Sequence, residues 1–120
     1  MEGIDILKTA VKALDDKKGQ DIRVIKVTDV SVIADYFVIA TATSSTHVKA
    51  LAGATEDALS EIGVEPHHIE GRTTGWILLD YGTVIIHVMD SKNRDFYELE
   101  RTWNDGEEVD LSKIISSGTV

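Results

Sequence analysis

Tyr36-Phe37-Val38-Ile39-Ala40-Thr41-Ala42 is a seven-residue, nearly continuous apolar run. Its length and its Val and Ile content predict a strand covered on both faces. Such a strand belongs in a sheet flanked by helices. Directly after it, Ser44 or Ser45 supplies a hydroxyl to cap a helix, giving the first unpaired backbone N–H groups an acceptor. Val48, Leu51, Ala52, Thr55, Leu59 and Ile62 then form one helical face. Gly63 ends that helix and Pro66 prevents its continuation.

Upstream, Ile4, Leu7, Val11 and Leu14 recur at helical spacing and predict an amphipathic helix over residues 3–17. Lys17 and Lys18 suit its C-terminus, with Gly19 at the C′ position. Residues 22–27 read as a strand. Downstream, a short strand is expected around His67 to Arg72. Trp76 to Asp80 and Val84 to Met89 form two more, joined by the tight turn Asp80-Tyr81-Gly82-Thr83. Ser91 or Asn93 caps a last helix carrying Phe96, Leu99, Glu100 and Trp103. The expected order is α-β-β-α-β-β-β-α, an α/β single domain with an about five-stranded mixed sheet flanked by helices. The hairpin must be antiparallel, while the helix after Ala42 permits a parallel crossover. Residues 105–120 read as a polar tail in which Leu111, Ile114 and Ile115 either dock or stay loose.

The 120 residues fit one compact domain. No apolar run approaches the ~20 residues a membrane-spanning helix needs. Met1 to Lys18 has four acids and no apolar core segment, so it reads as neither signal nor transit peptide. Without cysteine the chain has no disulfides, thiol catalysis or Cys-type zinc sites, and it is compatible with a reducing cytosol. The net charge of −9 disfavours general nucleic-acid binding and favours a basic partner. That charge is uneven. Residues 1–60 hold 9 acids and 7 bases, whereas residues 61–120 hold 12 acids and 5 bases.

Candidate chemistry is sparse. His67 and His68 are adjacent in an expected strand, so they point to opposite faces and cannot easily share one ion. Asp80 and His87 lie on the two arms of the expected hairpin, where an Asp–His pair could tune a general base. No nucleophile elbow accompanies them. Thr41 to Thr46 precedes a helix, whose N-terminus attracts anions, yet the segment has neither phosphate-binding glycine motif, and capping accounts for its hydroxyls. Trp76, Tyr81, Tyr97 and Trp103 all lie in the acidic half. Trp76 begins a strand, Tyr81 sits in a turn and Tyr97 is off the apolar face of the last helix. All three are expected to reach outward as interface anchors.

The block Glu70-Gly71, Gly75 to Met89, then Arg94-Asp95-Phe96-Tyr97-Glu98-Leu99-Glu100-Arg101-Thr102-Trp103, resembles the signature of the ribosomal silencing factor (Iojap-like) family. Upstream, Gly19 to Ile22 and Ala34 to Val48 also match it. The likeness covers about residues 4–103, giving a domain over 1–104 and a tail over 105–120. Thr83 departs from the pattern, which usually has aspartate after the turn glycine. The resemblance implies a nucleotidyltransferase-like fold and a cytoplasmic, non-enzymatic repressor of translation with no cofactor. It implies binding to large-subunit ribosomal protein number fourteen, which obstructs joining of the small subunit. Trp76 and Tyr81 are then expected to supply apolar contact, with Tyr97 beside them. Glu70, Asp80, Glu98 and Glu100 supply complementary charge, and Arg94 orients these carboxylates. Two other classes stay open: a nucleotide- or phosphate-processing enzyme using Asp80 or His87, and a homodimeric scaffold paired through Val- and Ile-rich edge strands.

Overall fold

Helix α1 (Gly3–Asp16) leads into strand β1 (Gln20–Lys26), and β2 (Tyr36–Ala42) leads into α2 (Ser45–Glu61). Three strands follow: β3 (His68–Thr73), β4 (Trp76–Asp80) and β5 (Val84–Asp90). A further short strand, β6, spans Glu107–Val109. The computed structural model describes residues 3–26, 35–73, 75–92, 94 and 107–109. Of the expected last helix, Ser91, Lys92 and Arg94 are helical, while Phe96, Leu99, Glu100 and Trp103 lie outside the described residues.

The strands form one mixed sheet in the order β3-β4-β5-β2-β1-β6. All five expected strands are present, and residues 107–109 add a sixth by pairing Val109 with Val24. At the centre β2 and β5 run parallel, from Tyr36 opposite Val84 to Ala42 opposite Asp90. The other four pairings are antiparallel. The chain therefore crosses from β2 to β5 by way of α2 and the β3–β4 hairpin.

Alternation divides the strand side chains between two cores. On one face Val24, Val38, Ala40, Val84, Ile86, Val88 and Leu79 pack against Leu7, Val11 and Leu14 of α1 and Val48, Leu51 and Leu59 of α2. On the other face Ile25, Phe37, Ile39, Trp76 and Met89 form a second cluster with Ile85 against it. The run Phe37–Ala42 is accordingly buried throughout, as its composition predicts. Truncating a fully buried residue such as Leu51 costs about 2–5 kcal/mol.

Both helices end in the same hydrogen-bonded motif. In α2, Gly63 N–H donates to Ser60 O and Val64 N–H to Leu59 O, with Gly63 at φ 83°. In α1, Lys18 N–H donates to Asp15 O and Gly19 N–H to Leu14 O. The left-handed residue there is Lys18, at φ 67°, rather than Gly19. Gly19 is required for another reason: a Cβ on it would lie 2.8 Å from Leu14 O. At its N-terminus α2 is capped by Ser44, whose Oγ accepts from His47 N–H at 3.1 Å. His47 also joins the two helices. Its Nδ1 accepts from Thr43 N–H at 2.9 Å, which leaves Nε2 to donate to Lys17 O, also at 2.9 Å.

Gly53 within α2 and Gly63 just beyond it give opposite expectations in urea denaturation. A Cβ at Gly53, exposed in mid-helix, meets nothing within 4 Å among the described residues, so Gly53→Ala stabilises by about 0.5–1 kcal/mol. Gly63→Ala, forced into the left-handed region, destabilises by about 1 kcal/mol.

Candidate partner-docking surface

Of the expected docking set, Glu70 falls on β3, Trp76 and Asp80 on β4, and Tyr81 on the turn that follows β4, whereas Arg94 lies beyond β5. Glu70 stands on the edge strand β3, where its carboxylate lies 2.8 Å from His68 Nε2. The two are separated by one residue and so share a face of the strand. His67 is at the start of the same segment, and its ring packs against the backbone of Gly82. A Cβ at Gly82 would approach that ring to 2.9 Å, and φ there is 83°. The turn thus needs glycine on both steric and backbone grounds. Among the described residues no three His, Asp or Glu side chains group where a metal ion could be held.

Asp80 builds the turn it begins. Its Oδ1 accepts from Gly82 N–H at 2.8 Å, while Tyr81 N–H donates to Val84 O at 2.9 Å. Register places Asp80 opposite Ile85 and His87 opposite Leu78. The anticipated Asp80–His87 pairing is therefore not formed. His87 is buried, and its Nδ1 accepts the Trp76 indole N–H at 3.2 Å. That bond puts the imidazole proton of the neutral ring on Nε2. The rings of Phe37 and Trp76 stand 5.5 and 5.9 Å from it.

Trp76 and Tyr81 do not stand outward. Trp76 is 8% exposed and Tyr81 4%. β4 has a strand on each side, and Trp76 lies on the face that Phe37, Ile39 and Met89 already make apolar. Tyr81 turns to the helical face and joins the core under α2. A turn residue escapes solvent here because a helix packs beside its turn. The expectation that these two rings are exposed anchors is corrected accordingly.

Arg94 is also buried, at 5% exposure. Its Nη1 donates to Thr41 Oγ1 at 2.7 Å and to Asp21 O, and Nη2 lies 3.5 Å from the Asp21 carboxylate. Arg94 thus ties the segment after β5 to β1 and β2. Thr41 is on β2, three strands from Glu70, a distance of roughly 14 Å at ~4.8 Å per strand. Arg94 therefore does not orient Glu70. Tyr97, Glu98 and Glu100 lie outside the described residues.

Ile69, with 44% exposure, is a surface residue that sequence reasoning passed over. Its signal was an apolar side chain between His68 and Glu70, on a strand whose place at the sheet edge the order of elements does not reveal. The Tyr81 hydroxyl is the second omission: it is buried with no hydrogen-bond partner. Burial, reinforced by the negative charges of Glu56 and Glu65, pushes its pKa from 10.0 up to about 12. The unfolded chain releases that proton near pH 10 while the folded chain retains it. Stability from this group is therefore complete below pH 10 and is lost as pH rises toward 12. Tyr81→Phe is expected to weaken that alkaline decline relative to wild type. At neutral pH it gains about 1 kcal/mol by removing an unsatisfied hydroxyl. Denaturant titrations across pH 7–12 check both.

The family described as "Ribosomal silencing factor during starvation" matches residues 1–119. The chain is 35% identical to ribosomal silencing factor RsfS of Halalkalibacterium halodurans over 97% of its own length and 100% of that protein. It is 37% identical to the RsfS of Bacillus subtilis over 88% of its length and 91% of that one. A crystal structure of a protein from Chromobacterium violaceum aligns with a TM-score of 0.83 at 37% identity, covering 87% of this chain and 88% of that one. With this match in sequence and in fold, the chain belongs to the ribosomal silencing factor family.

Proposed function

We propose that the protein docks on the large ribosomal subunit through ribosomal protein number fourteen and, while seated there, sterically excludes the small subunit. Translation is repressed because two bodies cannot occupy the same surface, and no cofactor or turnover is needed. The reading belongs to the cytoplasm, where subunits join. The observation that carries it is the family match over residues 1–119. The net charge of −9, concentrated in residues 61–120, supports a basic protein partner.

Within this reading Glu70 and Asp80 contribute negative charge at the contact, with Tyr97, Glu98 and Glu100 assigned to the same surface by family resemblance. Trp76 and Tyr81 act from beneath. They fill the two cores under β4 and the turn, and so fix the height and shape of what the partner meets. Arg94 holds the segment after β5 against β1 and β2. A non-enzymatic role is favoured by the placement of the two residues that chemistry would use. Asp80 is engaged in its turn and His87 with Trp76.

Purified protein in excess is expected to sediment with large subunits and not with small ones, and to lower the fraction of joined ribosomes when both are mixed. Glu70→Lys weakens large-subunit binding about tenfold at low salt, and the difference narrows as salt screens the charge. Subunits that join at the same level with and without excess protein would refute the proposal.

A further inference from the structure

The sheet has two edges, and they are not alike. On one side the described part of β6 is Glu107–Val109. On the other, β3 offers six residues, and among the described residues its one strand neighbour is β4. In an antiparallel strand paired on one side, alternate residues direct their N–H and C=O groups away from the neighbour. Proteins commonly blunt such an edge with proline or lysine. Neither occurs in His68–Thr73, and the single proline, Pro66, precedes the strand; the ladder is regular from His68 to Gly71 and shifts register only between Gly71 and Thr73, beside Arg72.

The side chains on β3 extend the same picture. Ile69 pairs with Leu79, so it shares the helical face of the sheet, yet it is 44% exposed where Leu79 is 1% exposed. Gly71, next on that face, is opposite Ile77, and among the described residues nothing lies within 4 Å of the place where its Cβ would be. This face of β3 is therefore apolar at Ile69 and open at Gly71. On the other face Glu70 is held by His68 at 2.8 Å. The sequence from 61 to 80 is acidic, with Glu61, Glu65, Glu70 and Asp80 against one base, Arg72, which lies on β3 itself.

We infer that β3 is a strand-addition edge, and that its occupant is an extended, basic segment of the protein partner, hydrogen-bonded along His68–Thr73. Ile69 supplies apolar contact, Gly71 leaves room for a partner side chain, and Glu70 with its acidic neighbours selects positive charge. The inference rests on the proposed large-subunit docking and specifies where its contact is made. Neutral or acidic strands would lack the charge match, so the edge discriminates by charge as well as by shape.

Hydrogen–deuterium exchange of the full chain, free and with purified large subunits, tests this directly. The expected result is that amides of His68–Thr73 slow at least tenfold on addition of subunits, while those of α1 change little. Ile69→Ser, at an exposed position, melts like wild type and binds large subunits about tenfold more weakly in sedimentation. If the protein sediments with large subunits and β3 exchange is unchanged, the inference fails while the docking proposal stands. Absence of sedimentation with large subunits overturns both. Protection of β3 that grows with protein concentration in the free chain, together with a dimer in light scattering, assigns the edge to a second copy and also overturns the inference.

Discussion

Parallel pairing of β2 with β5 is the constraint on which the rest of the molecule depends. Both strands are apolar on both sides, so neither face of the sheet centre can be left to water. The first face is covered by α1 and α2, whose buried stripes match the alternation of Val38, Ala40, Ile86 and Val88. The second carries the cluster of Phe37, Ile39, Met89 and Trp76. Much else follows from making the sheet centre dry. Arg94 enters the interior with Thr41 and Asp21 as partners, and His87 enters with Trp76, because a buried polar group without a partner is costly.

This division of labour explains the surface. Large aromatic side chains that would make good contact residues are used to fill the interior beneath β4 and its turn. What the described outer surface near the turn presents is carboxylates and a strand edge. Asp80 and Gly82 keep the turn tight, and His67 closes over it. The proposed docking surface therefore has a rigid base. Its backbone positions are set by neighbouring strands and by cores on both sides of the sheet.

The fold was legible in the sequence wherever burial is periodic. The seven residues of β2, the stripe Val48-Leu51-Ala52-Thr55-Leu59, and the turn Asp80 to Thr83 all formed where their patterns placed them. Three features were not legible, each for a physical reason. Strand order is a property of long-range pairing, so the sequence could not mark β3 as an edge and Ile69 as exposed. The burial of Tyr81 depends on α2 packing next to a turn, whereas turn chemistry alone suggests exposure. The left-handed position after α1 fell on Lys18 instead of Gly19, because the hydrogen-bonding pattern fixes that site one residue earlier. Asp80 and His87 were placed on neighbouring strands correctly, but a register offset of two residues separates them. Of the expected docking set, Glu70 lies within β3 opposite Leu78 and Asp80 at the end of β4, both half-buried, while Arg94 belongs to a different side of the sheet.

The central pairing also bears on how the chain is made. Phe37 meets Ile85, about fifty residues later. At a synthesis rate of about 5–20 residues per second, β2 leaves the exit tunnel roughly 2–10 s before its parallel neighbour does. During that interval β1 can already lie alongside it, antiparallel and local, and α2 can cover one face. The opposite face, with Phe37 and Ile39, has to wait. The nascent chain is therefore a half-built sandwich for seconds, with its stickiest strand shielded on one side only. Completion of the domain is tied to the moment at which β5 emerges.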